Sequence, residues 1–423
     1  MKVLVIGGGG REHALCWKLA QSTAISKLYC APGNPGIEKI AECPGGEPFD
    51  VARRIQPDLV VVGPEAPLAA GLVDRLQEAG IPAFGPTQRA AQLEASKSFC
   101  KQLLKKYAIP TGDFEVFEDT EAAKAYIRDK DDDAPTVVKY DGLAAGKGVV
   151  IAPTRRAAEQ AVDELWQLGR SQNNEESSAP ALVVEECLVG EEISLLALTD
   201  GNSILPLAPA QDYKRIGEGD AGPNTGGMGC YSPVPAFDPV LYQRAVEEIL
   251  EPTLRALQAE GITYRGVLYA GLMLTETGPK VIEYNCRFGD PETQVILPRL
   301  KSDLLPLLLA CTGQGAPLRD LECEWTEQAA VCVVLSSSGY PASDYRKGDV
   351  ITGLEEAENC GTLVFHAGTA RRNGEIITSG GRVLGVTALG DDFLEARQRC
   401  YEGVARIHFE GAHYRRDIGW RCL

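Results

Sequence analysis

Three polar side chains alternate along a strand-like segment at residues 280–292, which reads KVIEYNCRFGDPE. Glu283, Asn285 and Arg287 are spaced two residues apart, so an extended backbone would turn all three to one face, together with Val281. A carboxylate and a carboxamide oxygen at this spacing suit Mg²⁺, which proteins often hold with one or two oxygens beside nucleotide phosphates. An arginine next to them could bind a substrate carboxylate through two parallel hydrogen bonds. The alternative is a surface strand with mixed charges.

The composition is that of a soluble globular protein. The chain has 423 residues, of which 44% are hydrophobic and 24% charged, and this length suits roughly two to four domains. A net charge of −17 argues against nucleic acid or a membrane surface as partner, although local amides and basic side chains can still bind phosphate. No run is long enough to cross a membrane and the opening MKVLVIGGGG is too short for a signal peptide, so we expect a cytoplasmic protein. The thirteen scattered cysteines, without a C-x-x-C pair, are expected to be reduced and buried.

A glycine-rich turn follows the first predicted strand. Residues 2–6 are typical of a buried parallel strand and 11–21 of a helix, which together form the first unit of a doubly wound α/β domain. The amides of Gly9 and Gly10 could face an anion there. The dinucleotide fingerprint is not met, because Glu12 stands where a third glycine belongs. A purely structural turn is the alternative.

A second glycine-rich loop lies between two apolar, β-branched runs at residues 136–152. The pattern predicts a hairpin with Lys139 facing inward and Lys147 at the tip. It is not a Walker loop, since it joins two strands and lacks the G-x-x-x-x-G-K-[ST] pattern. A tight hairpin with an exposed lysine is the alternative. Three glycines would let the loop approach a ligand closely and flex over it: Gly142, Gly146 and Gly148.

Three further segments carry candidate ligand-binding residues. Residues 88–107 are predicted to form one helix with Lys97 and Lys101 on one face, although exposed lysines often serve only solvation. The strand–loop–strand pattern at 181–198 could offer backbone groups to a planar base and a carboxylate to ribose hydroxyls. The polar, glycine-rich segment 210–233 is long for a connector, which indicates a segment that is either mobile or clamped on a ligand, and we favour the second.

Together these motifs resemble the phosphoribosylamine–glycine ligase (glycinamide ribonucleotide synthetase) family of ATP-grasp enzymes. The matching segments follow the family's order along nearly the whole chain: GGGGREHA, VVGPEAPL, SKSFCK, VVKYDGLAAGKGV, EECLVGEE, QDYKR, PNTGGMG and EYNCRFGDPETQ. Tyr140 and Cys100 depart from the family pattern, each beside a motif lysine.

The resemblance implies a multidomain α/β and α+β fold. It comprises an N-terminal α/β substrate domain with a doubly wound parallel sheet (residues 1–97), an ATP-grasp domain (98–325) with an inner lid subdomain at about 115–190, and a small β-rich C-terminal domain (326–423). The implied reaction is ATP-dependent ligation of glycine to 5-phosphoribosylamine, giving glycinamide ribonucleotide, ADP and phosphate in purine biosynthesis. The implied ligands are ATP, Mg²⁺ with Mn²⁺ as an alternative, and the two substrates. We expect a monomer, with a dimer as the alternative.

The resemblance also implies roles for single residues. Glu283 and Asn285 would be the metal ligands, Asp212 and Arg287 would hold glycine, and the turn at Gly9 and Gly10 would face phosphoribosylamine. Catalysis would involve Arg287, Lys139 and Gly146. The ATP-binding set would be Lys101, Lys139, Gly142, Gly146, Lys147, Gly148, Glu185, Glu186, Leu188 and Glu192, with Glu191 as an alternative to Glu192 at the ribose.

Many ATP-grasp enzymes carry one more acidic metal ligand on the preceding strand, but the corresponding segment here reads YAGLM. Water, Glu276 or another acid could take that place.

A carboxylate must be activated before an amine can attack it. The hypothesis is that glycine takes the γ-phosphoryl group of ATP to form glycyl phosphate, which the ribosylamine nitrogen attacks. Such a transfer depends on positioning and charge neutralisation rather than on a nucleophilic side chain. The rivals are another ATP-grasp enzyme, a regulator that has lost catalysis, and a dinucleotide-dependent dehydrogenase. A biotin-dependent carboxylase is disfavoured by the absence of an A-M-K-M sequence.

Overall fold

The computed structural model describes residues 1–130, 134–144, 148–172 and 181–423. The helices are α1 (Gly10–Leu19), α2 (Pro48–Ile55), α3 (Glu65–Ala69), α4 (Leu72–Glu78), α5 (Gln88–Ala95), α6 (Lys97–Lys106), α7 (Thr120–Arg128), α8 (Arg155–Gln172), α9 (Pro239–Ala245), α10 (Glu251–Ala259), α11 (Thr293–Arg299), α12 (Leu304–Cys311), α13 (Leu354–Asn359) and α14 (Phe393–Val404). The strands are β1 (Lys2–Gly7), β2 (Lys27–Pro32), β3 (Leu59–Val62), β4 (Ala83–Phe84), β5 (Phe114–Phe117), β6 (Thr136–Tyr140), β7 (Val149–Ala152), β8 (Leu182–Glu186), β9 (Glu191–Thr199), β10 (Ile204–Pro206), β11 (Gln211–Asp212), β12 (Arg215–Gly217), β13 (Ala221–Asn224), β14 (Gly229–Ser232), β15 (Gly266–Thr275), β16 (Gly278–Asn285), β17 (Ala329–Ser336), β18 (Leu363–His366), β19 (Thr369–Arg372), β20 (Glu375–Thr378) and β21 (Arg382–Gly390).

The N-terminal sheet is parallel, with strand order β2-β1-β3-β4. Val3 to Ile6 on β1 and Leu59 to Val62 on β3 are almost completely buried, as expected for central strands covered on both faces. The glycine turn after β1 therefore lies at the carboxyl edge of the sheet, where open α/β sheets bind ligands.

Two antiparallel sheets form the middle of the chain. The first has the order β5-β8-β6-β7 and packs against α7 and α8 around a small core of its own. The second has the order β10-β9-β15-β16, and its edge strand β16 carries Glu283 and Asn285, the expected metal ligands. The predicted hairpin at 136–152 is confirmed, since β6 and β7 pair antiparallel.

A five-stranded sheet joins the middle of the chain to its C-terminal part. Its order is β11-β14-β17-β21-β18, so β14 pairs directly with β17. The predicted fold class, with a parallel N-terminal sheet, an ATP-grasp unit and a β-rich C-terminal domain, is confirmed.

Two local predictions are wrong. The pairing of β16 with β15 has a bulge, because Glu283 lies opposite Gly271 while Val281 lies opposite the next residue, Leu272. One extra residue reverses the alternation of side chains, so Val281 is buried in the core instead of sharing the face of Glu283. The predicted helix over 88–107 is two helices, since Ser96 has an extended backbone and its hydroxyl accepts a hydrogen bond from the Phe99 amide at the start of α6.

Among the described residues, none of the helices combines the length and apolar character needed to cross a bilayer. All thirteen cysteines carry free thiols, and most of them are buried.

Candidate active site

Two lysines share one buried carboxylate where the β5-β8-β6-β7 sheet meets α6. The Nζ atoms of Lys101 and Lys139 each lie 3.0 Å from Oε2 of Glu185, and all three side chains are at most 5% exposed. Lys101 also donates to Thr111 Oγ1 at 2.7 Å, and Lys139 to the Ile282 carbonyl at 3.0 Å. Burial lowers the pKa of Lys101, an effect that Glu185 partly offsets. The pair offers two buried ammonium groups that are fixed by their hydrogen-bond partners.

The glycine-rich hairpin is tied to the start of α6. The Asp141 carboxylate accepts hydrogen bonds from the Ser98 amide at 3.2 Å and from the Ser96 hydroxyl at 3.3 Å. Lys97 Nζ donates to the Gly142 carbonyl at 2.9 Å. Gly142 has φ +156°, and a Cβ there would lie 2.7 Å from the Tyr140 ring, so only glycine fits this turn. These contacts fix the base of the loop.

The expected metal ligands lie beside this base. Lys214 Nζ lies 3.7 Å from Glu283 Oε1 and also pairs with Glu192. Burial alone would raise the pKa of Glu283, but Lys214, Lys139 and Lys97 hold it below its usual range. Glu283 is therefore ionised at neutral pH, as a metal ligand must be.

The Asn285 carboxamide makes no hydrogen bond within the ranges that the structure describes. It follows Glu283 by two residues at the end of β16 and stays partly exposed. Glu276 lies at the turn of the β15–β16 hairpin, five residues beyond the partner of Glu283, and hence roughly 16 Å away along the strand. At that distance, Glu276 cannot bind the same metal ion as Glu283.

Arg287 connects the end of β16 to the N-terminal domain. Its Nε lies 3.2 Å from Glu65 Oε2 and its Nη2 lies 3.3 Å from Glu94 Oε1. Glu94 also accepts hydrogen bonds from the amide and the thiol of Cys286, at 2.8 and 2.9 Å. The guanidinium is thus oriented by two carboxylates, both of which the sequence analysis missed. The motif VVGPEAPL contained Glu65, whereas Glu94 had no local signal.

Asp212 lies in the same acidic neighbourhood. It is 8% exposed, and no hydrogen bond or ion pair to its side chain occurs among the described residues. Burial raises the pKa of Asp212, Lys214 lowers it, and Glu292, Glu192 and Glu283 raise it further. Glu292 is itself buried and accepts a hydrogen bond from the Tyr269 hydroxyl at 2.6 Å. We call Asp212, Glu192, Glu283 and Glu292 the acidic cluster. Its buried carboxylates need cationic or hydrogen-bond-donating partners, which ligands could provide.

The turn at Gly9 and Gly10 is closed by its own helix. The Gly9 amide donates to Glu12 Oε2 at 2.7 Å. The sequence predicted an amide that faces an anion, but this amide already has a partner within the chain. A Cβ on Gly10 would lie 2.7 Å from Gln294 Nε2. Gln294 in turn donates to Asp290 at 2.8 Å, and its Oε1 has no partner in the part of the chain that the structure describes.

Arg382 on β21 connects the C-terminal part of the chain to Gly226 and Asp290. Its guanidinium donates to the carbonyls of Gly226 and Asp290, the latter at 2.7 Å. It also lies 3.5 Å from the Asp290 carboxylate. The PNTGGMG segment is therefore connected to Asp290 by a side chain from β21.

The remaining predicted residues are distributed as follows. Glu186 is exposed and accepts a hydrogen bond from the Asp113 amide at 3.2 Å. Leu188 lies against Gly112. Gly148 is buried at the start of the returning strand. Gly146 and Lys147 lie outside the described residues.

The separate motifs converge on one cleft. The Lys101–Lys139–Glu185 group, the hairpin base, Glu283 and Lys214 meet between the β5-β8-β6-β7 sheet and β16. Fixed ammonium groups next to an ionised carboxylate and a free carboxamide can bind a polyphosphate together with a divalent cation.

Comparison with known proteins assigns the chain to a family. The N domain of phosphoribosylglycinamide synthetase matches residues 1–94, its ATP-grasp (A) domain matches residues 95–293, and its C domain matches residues 330–421. The chain belongs to the phosphoribosylglycinamide synthetase family. It is thus an ATP-grasp ligase, and the predicted family is confirmed.

Individual relatives agree with this family assignment. The chain is 51% identical to a phosphoribosylamine–glycine ligase from Rhizobium meliloti over 430 residues, covering all of this chain and 99% of the relative. It is similar to the crystal structure of the phosphoribosylamine–glycine ligase from Thermotoga maritima, with a TM-score of 0.86, 36% identity, and coverage of 99% of this chain and 100% of the other.

A biotin carboxylase domain shares the fold alone. The domain from the Hydrogenobacter thermophilus 2-oxoglutarate carboxylase has a TM-score of 0.71 at 15% identity, covering 98% of this chain and 91% of that one. The phosphoribosylglycinamide synthetase family membership therefore decides against the carboxylase and the dehydrogenase as alternatives.

Proposed function

We propose that the cleft ligates glycine to 5-phosphoribosylamine with ATP, giving glycinamide ribonucleotide, ADP and phosphate. The observation that carries the proposal is the meeting of Lys101, Lys139 and Glu283 at one cleft in a chain of this family. The proposed domains are the substrate domain 1–97, the ATP-grasp domain 98–325 with its lid at about 115–190, and the C-terminal domain 326–423.

The nucleotide would lie between the lid sheet and β16. Lys101 and Lys139 would neutralise its phosphates, since both ammonium groups are fixed by Glu185 and by hydrogen bonds to neighbouring oxygens. The hairpin loop would cover the phosphates with Gly142, Gly146, Lys147 and Gly148. The base would contact residues 185–188, and the ribose would contact Glu192.

A divalent cation fits Glu283 and Asn285. The first is an ionised carboxylate, and the second is a carboxamide whose oxygen has no partner among the described residues. Mg²⁺, with Mn²⁺ as an alternative, would supply positive charge at the phosphates of ATP. Lys214 already neutralises part of the acidic cluster and would remain beside the nucleotide.

Glycine and phosphoribosylamine would lie on the N-terminal side of the cleft. Arg287 faces this side and is oriented by Glu65 and Glu94, which suits it to binding the glycine carboxylate. The buried Asp212 carboxylate would receive the glycine amino group. Phosphoribosylamine would bind near the turn at Gly9 and Gly10.

The proposed reaction has two steps. In the first, a glycine carboxylate oxygen attacks the γ-phosphorus, the bond to the β-phosphate oxygen breaks, and glycyl phosphate and ADP form. In the second, the amine nitrogen attacks the acyl carbon, inorganic phosphate leaves, and the nitrogen loses a proton. Because an acyl phosphate hydrolyses easily, closure of the hairpin loop would protect it from water.

The deciding experiment measures ADP release with each substrate omitted in turn. We expect release over many turnovers only when glycine and phosphoribosylamine are both present with ATP and Mg²⁺, because glycyl phosphate formed without the amine would stay bound. Multiple-turnover ADP release that does not depend on one of the two substrates would refute the proposed reaction. Detection of glycinamide ribonucleotide by mass spectrometry identifies the product independently of the ADP signal.

A further inference from the structure

Tyr213 separates two residues of the proposed active site, Asp212 and Lys214, but its own side chain packs elsewhere. The ring is fully buried and contacts two guanidinium groups from the C-terminal end of the chain. The Cζ of Arg415 lies 4.8 Å from the ring centroid, and that of Arg421 lies 4.5 Å from it. The Gly419 amide donates to the Tyr213 hydroxyl at 3.0 Å. Tyr213 is thus held by two guanidinium groups at its ring and by a backbone amide at its hydroxyl.

Two carboxylates make this arrangement electrostatically possible. Asp220 accepts hydrogen bonds from Arg415 at 2.8 Å and from Arg421 at 2.5 Å. Asp417 accepts two more from Arg415, each at 2.8 Å. The two guanidiniums, which would otherwise repel each other, are therefore neutralised while they stack on one ring.

Further contacts join the same two stretches of chain. The Gly219 amide donates to Asp417 at 2.8 Å, the Arg416 amide to Glu218 at 3.1 Å, and Arg415 to the Arg215 carbonyl at 3.1 Å. The C-terminal segment 413–421 thus grips residues 213–220 along their length. We call this set of contacts the C-terminal clasp.

On the other side of the backbone, the neighbours of Tyr213 face the cleft. Lys214 pairs with Glu192 and lies 3.7 Å from Glu283. Asp212 is influenced by the same charges. Because the three residues are consecutive, any shift of Tyr213 moves both neighbours relative to β16.

We propose that the C-terminal clasp is a positioning element of the active site. By fixing Tyr213, Arg421 and Arg415 hold Lys214 against Glu192 and Glu283, and Asp212 at the glycine position. Arg421 is thereby a positioning residue, although it lies more than two hundred residues away in sequence and contacts no proposed substrate. The inference rests on the proposed function for the identity of the substrates but not for the contacts themselves.

The test compares Arg421→Ala with Arg416→Ala. Arg416 is exposed in the same segment and its side chain has no partner among the described residues, so its removal controls for the loss of one positive charge. Binding of a non-hydrolysable ATP analogue with Mg²⁺ is measured by calorimetry, and the glycine KM by ADP release. We expect Arg421→Ala to weaken analogue binding and raise the glycine KM, each by roughly five-fold or more, because small displacements of binding groups are costly. Arg416→Ala should change neither.

Arg421→Lys keeps the ion pair with Asp220 but loses the planar stack, and should restore part of the binding. A purely structural role would lower the melting temperature of Arg421→Ala and leave the dissociation constant and the KM of the folded protein unchanged. That result would overturn the proposal.

Two further measurements keep the test decisive. If Arg421→Ala does not fold, Asp220→Asn removes the bridging charge, and asparagine tolerates the positive φ of 56° at that position. In a Lys214→Ala background, Arg421→Ala should cause little additional loss of analogue binding, since it acts through Lys214. Additive losses would contradict the proposal. Analogue binding needs neither glycine nor phosphoribosylamine, so a chain that binds the analogue without ligating refutes only the proposed function.

Discussion

Lys139 Nζ lies 3.0 Å from Oε2 of Glu185, and Lys101 Nζ lies at the same distance from the same oxygen. The second oxygen of Glu185, Oε1, has no hydrogen-bond partner within the described part of the chain. One buried carboxylate thus compensates two buried ammonium groups.

Glu185→Gln should therefore destabilise the ligand-free protein by about 3 kcal/mol, because two buried ammonium groups lose the carboxylate that pairs directly with both. The free energy of unfolding from urea denaturation at pH 7 measures this loss. Glu186→Gln is the matched control, since Glu186 is the exposed neighbour and its change should cost less than about 0.5 kcal/mol. Equal small losses in both variants would mean that the lysines do not depend on Glu185.

Glu283→Ala should leave a folded protein with little ADP production, because the proposed metal site loses its only ionised ligand. The measurement is ADP release over a range of Mg²⁺ concentrations, with a melting curve to confirm folding. Glu276→Ala removes an exposed carboxylate from the turn of the same hairpin and should keep normal activity. Near-normal ligation by Glu283→Ala in Mg²⁺ would show that the metal assignment is wrong.

Arg287→Ala should raise the glycine KM far more than the ATP KM, since the guanidinium faces the N-terminal side of the cleft. It should also lower stability by roughly 3 kcal/mol, because Glu65 and Glu94 lose their shared cation. Initial rates with each substrate varied separately give the two KM values. Equal effects on glycine and ATP would count against a glycine-binding role.

His13 and His366 should make stability fall as the solution is acidified. The pKa of His13 is lowered to about 3, mainly by burial and with smaller contributions from His366 and Lys39. The pKa of His366 is lowered to about 4, again mainly by burial and with a smaller contribution from Lys39. Above pH 6.5 both histidines are neutral in the folded and unfolded states, so their contribution is complete. Between pH 6.5 and 4 only the unfolded chain takes up protons, which costs the folded state about 1.4 kcal/mol per pH unit for each histidine.

Unfolding free energies at pH 7 and pH 5 test this dependence. His366→Gln should show a smaller loss between the two pH values than the wild type, by roughly 2 kcal/mol. His408→Gln changes an exposed histidine and should retain the wild-type dependence. The same slope in all three proteins would contradict the assignment to buried histidines.

The sequence was sufficient to predict which elements form the cleft. Alternation at 136–140 correctly turned Lys139 inward, and the spacing of Glu283 and Asn285 placed them together at the end of a strand. Both predictions rest on local backbone geometry, which the residue pattern carries directly.

Features that depend on pairing between distant segments could not be predicted in this way. The bulge that turns Val281 into the core arises from its pairing with β15, and the glycine at this point, Gly271, lies on the partner strand rather than beside Val281. The contacts of Arg287 with Glu94, and of Arg382 with the PNTGGMG segment, join stretches far apart in the chain. The break at Ser96 is different, because a serine N-cap is a local signal that was available.

The pairing of β14 with β17 has a consequence for how the polypeptide can be divided. β14 lies within the segment that matches the ATP-grasp domain, whereas β17 overlaps the segment that matches the C domain. A fragment that ended before residue 329 would leave β14 as an open edge, with unpaired amides and carbonyls available to other molecules, and such edges promote aggregation. The border between these two matched segments is therefore not a place where this protein can be cut, and gene fusion or domain exchange would have to keep both strands together.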